Sequence, residues 1–310
     1  MSKLSLVRCI LTLLSIAFTL PALAITPGEE PQRFKFTTLQ DFMVIVPVSI
    51  NGTGPFRFLF DTGTSRTMVD RQIANRLSLP GVGQSIAVGI EDTASISLVH
   101  ADFVSMAGFT VPGLTLTVLP KNAGLPEKVS GILGEDFLEQ FDLLIDYRHH
   151  LIELQSGGGP LGDALAGERL PVRLEGMMED GPVIGRLILS AHARELGRKD
   201  VSLLLDSGVS SLVVFGGPQS LGAGAVQQNL DITGSLPPST GVSAYAATIE
   251  QLWLGNKMVR NVTALAPPAK RGMDTDGILP TSVFGSIFIS HSHRFVILDP
   301  TAKAMARQEK

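Results

Sequence analysis

Two short words recur in the same order along this chain. Asp-Thr/Ser-Gly stands at Asp61-Thr62-Gly63 and Asp206-Ser207-Gly208, and Gly-Ile-Leu at Gly131-Ile132-Leu133 and Gly277-Ile278-Leu279. The two triplets lie 145 positions apart and the two Gly-Ile-Leu words 146, so the chain carries two copies of one pattern with a single insertion between them. One Asp-Ser/Thr-Gly triplet arises easily by accident at average usage. Two copies that both keep their distance to a second motif do not, and an internal repeat constrains the fold before any single residue is read.

Each triplet closes an apolar run, Phe58-Leu59-Phe60 or Leu203-Leu204-Leu205, as a buried strand does where it ends in a turn. The glycine that follows lets the backbone turn there. The aromatic fraction is 6% and there are 32 Gly and 19 Pro among 310 residues, with short β-rich runs between turn residues, which predicts a mainly β protein. In the first copy, Met43 to Ile50 and Phe56 to Phe60 flank the hairpin signal Asn51-Gly52-Thr53-Gly54-Pro55. Val183 to Ser190 and Val201 to Leu205 repeat this in the second, joined by the longer, charged segment Ala191 to Asp200. Val69 to Leu77 has the spacing of a short amphipathic helix before Pro80, whereas Gly216-Gly217-Pro218 argues against a helix at the matching place. Further hairpins are expected with tips near Gly89 to Asp92 and Pro237 to Gly241.

Residues 1–24 read as an export signal: Lys3 and Arg8 lead, Ile10 to Leu20 is mostly apolar, and Ala22-Leu23-Ala24 is a small-residue cleavage site. The expected organisation is then a leader over 25–40, one half over 41–155, a Gly-rich linker over 156–167 around Ser156-Gly157-Gly158-Gly159-Pro160, a second half over 168–300 and a polar tail over 301–310. Cys9 lies inside the signal, so the exported chain has no thiol and no disulfide. The net charge of −4, with scattered basic residues, argues against a nucleic-acid partner. No segment after the signal has the length and apolarity of a membrane span. A Gram-negative periplasm is the expected address.

Packing two such halves face to face about an approximate two-fold axis makes Asp61 and Asp206 neighbours. Carboxylates at about 3 Å cannot both ionise cheaply, so they share a proton and titrate as a pair. The ionised member can deprotonate a water while the protonated one donates to a carbonyl, which hydrolyses an amide without a metal or other cofactor. Gly63 and Gly208 bring backbone donors close, Thr62 and Ser207 offer hydroxyls across the axis, and Thr64 adds another beside its aspartate. An extended peptide or unfolded protein segment would cross the centre as an added strand.

The residues Phe60-Asp61-Thr62-Gly63-Thr64-Ser65, Gly131-Ile132-Leu133-Gly134 with Phe137-Leu138 and Phe141 to Tyr147, Leu205-Asp206-Ser207-Gly208, and Gly277-Ile278-Leu279 resemble those of the pepsin and retropepsin aspartic proteases, specifically small exported bacterial members with retropepsin-like halves. The likeness covers most of residues 40–300. It implies a bilobal acid-protease fold of two pseudo-symmetric β-barrel lobes, a flap over a cleft, Asp61 and Asp206 as the catalytic pair, and Ile132-Leu133-Gly134 and Ile278-Leu279 supporting the catalytic loops. With both halves in one chain, a monomer suffices. Two positions depart from the family pattern. Val209 stands where a hydroxyl residue usually follows the glycine, and Pro280 stands where the first copy has Gly134. These departures leave room for an alternative, a peptide-binding or scaffolding protein that keeps the cleft and has lost hydrolysis.

Asp136, Asp142 and Asp146 read as surface or turn charges, and His149-His150 and His291-Ser292-His293 as solvated turns rather than metal ligands, with His291 alternatively a satisfied residue at the edge of the core. No Gly-x-Ser-x-Gly elbow and no Lys-Ser/Thr phosphate loop occurs.

Overall fold

The computed structural model describes residues 30–88, 93–120, 125–176, 185–197, 200–221, 225–232, 239–267 and 275–303. The expected export signal, the tip Gly89 to Asp92, Pro237-Pro238 of the second tip and most of the polar tail lie outside them.

The repeat in the sequence becomes a repeat of strand order. One eight-stranded sheet runs, neighbour to neighbour, Thr37–Leu39, Met43–Ile50, Thr53–Phe60, Gly131–Leu133, Met68–Val69, Phe109–Val118, Thr93–Met106 and Gly81–Val88. The other runs Arg173–Gly176, Gly185–Ala191, Val201–Asp206, Gly277–Pro280, Leu212–Val214, Lys257–Ala266, Ser239–Leu254 and Val226–Ile232. Strand for strand, the orders are the same. In the first, Ser49 and Ile50 also pair with Ser105 and Val104, which curls the sheet upon itself.

The Gly-Ile-Leu words have a steric reason. Gly131 and Gly277 each lie close against an antiparallel neighbour strand, and a Cβ there would fall 2.3 Å from the Met68 carbonyl oxygen and 2.1 Å from that of Val213. Ile132 and Ile278 point to one face of their sheets and pack in small apolar clusters, with Leu59 and Ile45 in one half and Leu204 and Ile188 in the other. Leu133 and Leu279 point to the opposite face and enter the main core.

A third sheet joins the halves. Its order is Gln32–Lys35, Leu151–Ser156, Phe141–Asp146, Ser286–Ser290, Phe295–Leu298 and Leu170–Pro171, with the junction made by Leu144 opposite Phe288. Side chains from both halves, among them Leu143, Ile145, Ile287 and Ile289, belong to one continuous core.

The helix expected over 69–77 is present as Arg71–Arg76, capped by Asp70, whose carboxylate accepts from the Gln72 N–H at 2.7 Å. A 3₁₀ turn, Pro218–Leu221, follows the matching Gly-Gly. In the Gly-rich segment, Ser156 is still strand and buried, Pro160–Asp163 is a 3₁₀ turn, and the Gln155 side-chain oxygen accepts from the Leu161 N–H at 2.7 Å. No helix among the described residues is long and apolar enough to cross a membrane.

The segment over 32–39 is woven into two sheets. Gln32–Lys35 pairs with Leu151–Leu154, Thr37–Leu39 pairs with Met43–Ile45, and Phe36 between them is buried and donates its N–H to the His150 carbonyl at 3.0 Å. Deleting a buried phenyl side chain costs about 3 to 5 kcal/mol. Phe36→Ala should therefore lower unfolding stability by about that amount in urea; a loss under about 1 kcal/mol would mean that the segment is dispensable.

Candidate active site

Each aspartate ends a strand that lies parallel to a Gly-Ile-Leu strand. Phe58, Leu59 and Phe60 pair with Gly131, Ile132 and Leu133, and Leu203, Leu204 and Leu205 with Gly277, Ile278 and Leu279. The Asp61 N–H donates to the Leu133 carbonyl at 3.0 Å, so the carboxylate leaves the strand from a fixed backbone.

The two turns are locked together by four buried hydrogen bonds. The Thr62 N–H donates to Ser207 Oγ at 3.1 Å, and the Ser207 N–H donates to Thr62 Oγ1 at 3.1 Å. Each hydroxyl then donates across the axis, Thr62 Oγ1 to the Leu205 carbonyl at 3.1 Å and Ser207 Oγ to the Phe60 carbonyl at 2.8 Å. Every hydroxyl thus both accepts and donates, which satisfies six buried polar groups, two N–H, two hydroxyls and two carbonyls.

This lock brings Asp61 and Asp206 together. Both are buried, and their carboxyl groups hydrogen-bond one another. Each lies against the other turn's glycine: a Cβ on Gly63 would fall 2.2 Å from Asp206 Oδ2, and one on Gly208 2.8 Å from Asp61 Oδ2. Any side chain at either place would displace a carboxyl group.

Their support is unequal. Asp61 accepts from the Gly63 N–H at 2.8 Å and from Thr64 Oγ1 at 2.8 Å. Asp206 accepts backbone hydrogen bonds, from the Gly208 N–H at 2.6 Å and from Val209, but no hydroxyl. Burial raises the pKa of Asp61, opposed by the Thr64 hydroxyl and the Gly63 amide. Asp206 goes well above the usual carboxylate value, first through burial and then through the charge of Asp61. Both groups are thus raised, Asp206 further than Asp61, whose charged form the Thr64 hydroxyl favours. Val209, in Thr64's place, packs instead on the cluster of Leu204 and Ile278.

Pro280 fits its surroundings. In the first half the Gly134 N–H donates to Thr67 Oγ1 at 3.1 Å, and Thr67 in turn donates to Asp136 Oδ1 through its hydroxyl at 2.6 Å and its N–H at 2.9 Å. The places of Thr67, Gly134 and Asp136 are taken in the second half by Leu212, Pro280 and Ser282, as the pairing of Met68 with Ile132 and of Val213 with Ile278 fixes. Donor and acceptor disappear together, and Pro280 remains a buried strand residue opposite Asp206.

Two side chains depart from their sequence expectations, and a third, His291, meets the second of its two readings, a satisfied residue at the edge of the core. Asp136 is buried rather than a surface charge; burial pushes its pKa to about 6 against the opposing Thr67 hydrogen bonds. Asp142 is buried too, accepting from Ser290 Oγ at 3.2 Å and from the Ser292 N–H at 3.1 Å. His291 is buried and not in a solvated turn. Its Nε2 lies 2.9 Å from Glu135 Oε2 and its Nδ1 2.6 Å from the Phe141 carbonyl. Asp146 ends the strand Phe141–Asp146 at the start of a turn and accepts from the His149 N–H at 3.1 Å.

Glu135 escaped the sequence reading, although its position carried a clue: it directly follows Gly134, and its counterpart Thr281 directly follows Pro280. Both are fully buried, and both reach into the opposite half, Glu135 to His291 and Thr281 to the Tyr147 hydroxyl.

Residues 46–137 match the aspartyl protease family model. The matched segment contains Asp61-Thr62-Gly63 and Gly131 to Gly134, and it supports a protease-type function and a hydrolase. No curated protein matches the chain. The second triplet lies beyond the matched residues, where the structure supplies Asp206 by geometry.

A carboxyl group whose folded-state pKa is raised stabilises the fold below its unfolded value, here about 3.8, and that contribution is lost as pH rises through the folded value. Asp206→Asn mimics the protonated form at every pH. It should melt higher than the unsubstituted protein near pH 7, with the difference closing toward about pH 3. A variant that melts lower at neutral pH would contradict a raised pKa for Asp206.

Proposed function

We propose that the chain is an aspartic endopeptidase in which Asp61 and Asp206 act on a water held between them. The observation that carries this reading is the contact of two buried carboxyl groups, each seated on the glycine of the opposite turn. A purely structural junction gains nothing from burying two acids side by side.

The unequal support assigns the roles. Asp61, ionised, takes a proton from the water as its oxygen adds to the peptide carbonyl carbon, while Asp206 gives its proton to the carbonyl oxygen. In the breakdown step Asp61 passes its proton to the amide nitrogen, the C–N bond breaks, and Asp206 recovers a proton from the diol. One carboxylic acid and one amine leave, and the dyad returns to its starting state. The substrate is an extended peptide or unfolded protein segment, and the protein acts as an exported, periplasmic monomer built of two retropepsin-like lobes.

Activity requires one proton on the pair. The acid limb of its pH profile follows Asp61 and the alkaline limb Asp206, and both stand above the ordinary carboxylate range because both groups are buried. The test is cleavage of a diverse unstructured peptide mixture between about pH 3 and 8, with Asp61→Asn and Asp206→Asn alongside. Cleavage by the unsubstituted protein that falls at least about 10³-fold in both variants is expected. Peptides bound but uncut at every pH would make the chain a binding protein.

A second experiment addresses the asymmetry. Val209→Thr supplies the missing hydroxyl and should lower the pKa of Asp206, moving the alkaline limb to lower pH. An unmoved limb would mean that Val209 does not set the proton's position.

A further inference from the structure

Beneath Asp61 lies a buried pair that the proposed chemistry does not use. Only 4% of the His291 side chain and 0% of that of Glu135 are exposed. Both ring nitrogens of His291 face acceptors, Glu135 Oε2 at 2.9 Å and the Phe141 carbonyl at 2.6 Å. A neutral imidazole has one N–H and could serve only one of them. The geometry therefore requires one proton on Nδ1 and a second between Nε2 and the carboxyl group, whichever of those two atoms carries it. With both protons in place the pair is neutral overall.

Glu135 has no other side-chain partner among the described residues, and its Oε1 is buried without a hydrogen bond. Its backbone makes the connection to the site. The Glu135 N–H donates to the Thr64 carbonyl at 2.8 Å, the Asp136 N–H donates to the Ser65 carbonyl at 3.0 Å, and Thr64 Oγ1 donates to Asp61 Oδ2 at 2.8 Å. A chain of contacts thus runs from His291, in the second half, to the carboxylate of the first.

We propose that His291 is a positioning residue for Asp61: by holding the Glu135 side chain, it presses the first turn of the helix Glu135–Leu138 against the loop whose Thr64 hydroxyl orients the carboxylate. The proposal rests on Asp61 being the ionised member of the dyad. The matching tie in the other half, Tyr147 to Thr281, joins two hydroxyls and carries no charge, so the proton-dependent support falls on Asp61's side alone.

The charged groups around the pair fix the sign of its pH dependence. Glu135, Asp142 and Glu139 act on His291, while His291, Glu139 and Asp61 act on Glu135. Burial of His291 favours its neutral form, yet Glu135 outweighs this and raises its pKa above the ordinary histidine value. The support is present below that raised value and is lost as pH rises through it, when a buried negative charge is left beside Asp61.

The test reads the dyad rather than turnover. Carboxyl-labelled aspartate titrations by NMR would compare the unsubstituted protein with His291→Phe, which keeps a ring and removes both hydrogen bonds, and with Glu135→Gln, which can still donate to Nε2 of a neutral ring. His291→Phe should displace the dyad titration by at least about half a pH unit, roughly a threefold change in proton affinity, and the conservative Glu135→Gln by much less. In a cleaving enzyme, His291→Phe should also lower kcat about tenfold with KM within about twofold. A folded His291→Phe with an unmoved dyad overturns the proposal. So does an equal displacement in Glu135→Gln, because loss of charge would then account for it. Should His291→Phe not fold, His291→Gln, which keeps one donor, carries the same readout. Ring-nitrogen NMR of the unsubstituted protein needs no variant, and a His291 that loses its second proton near an ordinary histidine pKa overturns the proposal as well. Absence of peptide cleavage would sink the protease reading while leaving the dyad titration to decide the role of His291.

Discussion

Two acids buried against each other can be neighbours only if they hold a proton between them, and the architecture follows from keeping that contact. Ionising both would place like charges side by side away from water. The contact survives because the turns bearing Asp61 and Asp206 are not free to separate: Thr62 and Ser207 exchange two buried hydrogen bonds, and their hydroxyls make two more to the Leu205 and Phe60 carbonyls across the junction. Gly63 and Gly208 then make the approach sterically possible, since a side chain at either would occupy the other half's carboxyl group. Residue choice in the two triplets is thus dictated one position at a time by an electrostatic, a hydrogen-bonding and a steric condition.

The two sheets repeat their strand order, but the chemistry laid upon them does not repeat. Around Asp61 the supports are polar: the Thr64 hydroxyl, the Thr67 hydroxyl between Gly134 and Asp136, and the Glu135 to His291 pair. Around Asp206 they are largely apolar, with Val209, Leu212 and Pro280 at the matching places and a neutral tie from Thr281 to Tyr147. A symmetric pair would leave its proton equally shared. In the mechanism we propose, polar support on one side and apolar support on the other decide where the proton rests, and with it the direction of proton transfer.

The repeat made much of this legible. Asp61, Asp206 and their supporting Thr62, Ser207, Gly63, Gly208 and Thr64 could be named from two triplets and a constant spacing, because strand ends and tight turns leave local traces. The apolar words Gly-Ile-Leu were equally plain, though the reason for their glycines, the close approach of a neighbouring strand, lies some 63 residues away at Met68 and Val213. What the sequence hid were partnerships across the junction. His291 and Asp142 look like turn residues when their neighbours are Ser292 and Leu143, and only the third sheet, with Leu144 opposite Phe288, buries them. Pro280 looked like damage for a related reason: its compensation, Leu212, is distant in sequence and adjacent in space.

The junction sheet also sets the tolerance of the site. Hydrogen-bonded carboxyl groups leave little room for one half to slide on the other. Four ties act at different depths: the Thr62 and Ser207 lock at the catalytic turns, His291 and Tyr147 reaching under each supporting segment, and the strands Phe141–Asp146 and Ser286–Ser290 beneath. The first and the Tyr147 tie are made by neutral groups, whereas the His291 tie gains or loses charge with pH. A change in pH that leaves the fold intact can therefore alter the setting of Asp61 without loosening the junction, and such separation of support from stability is what a carboxylate held at one pKa requires.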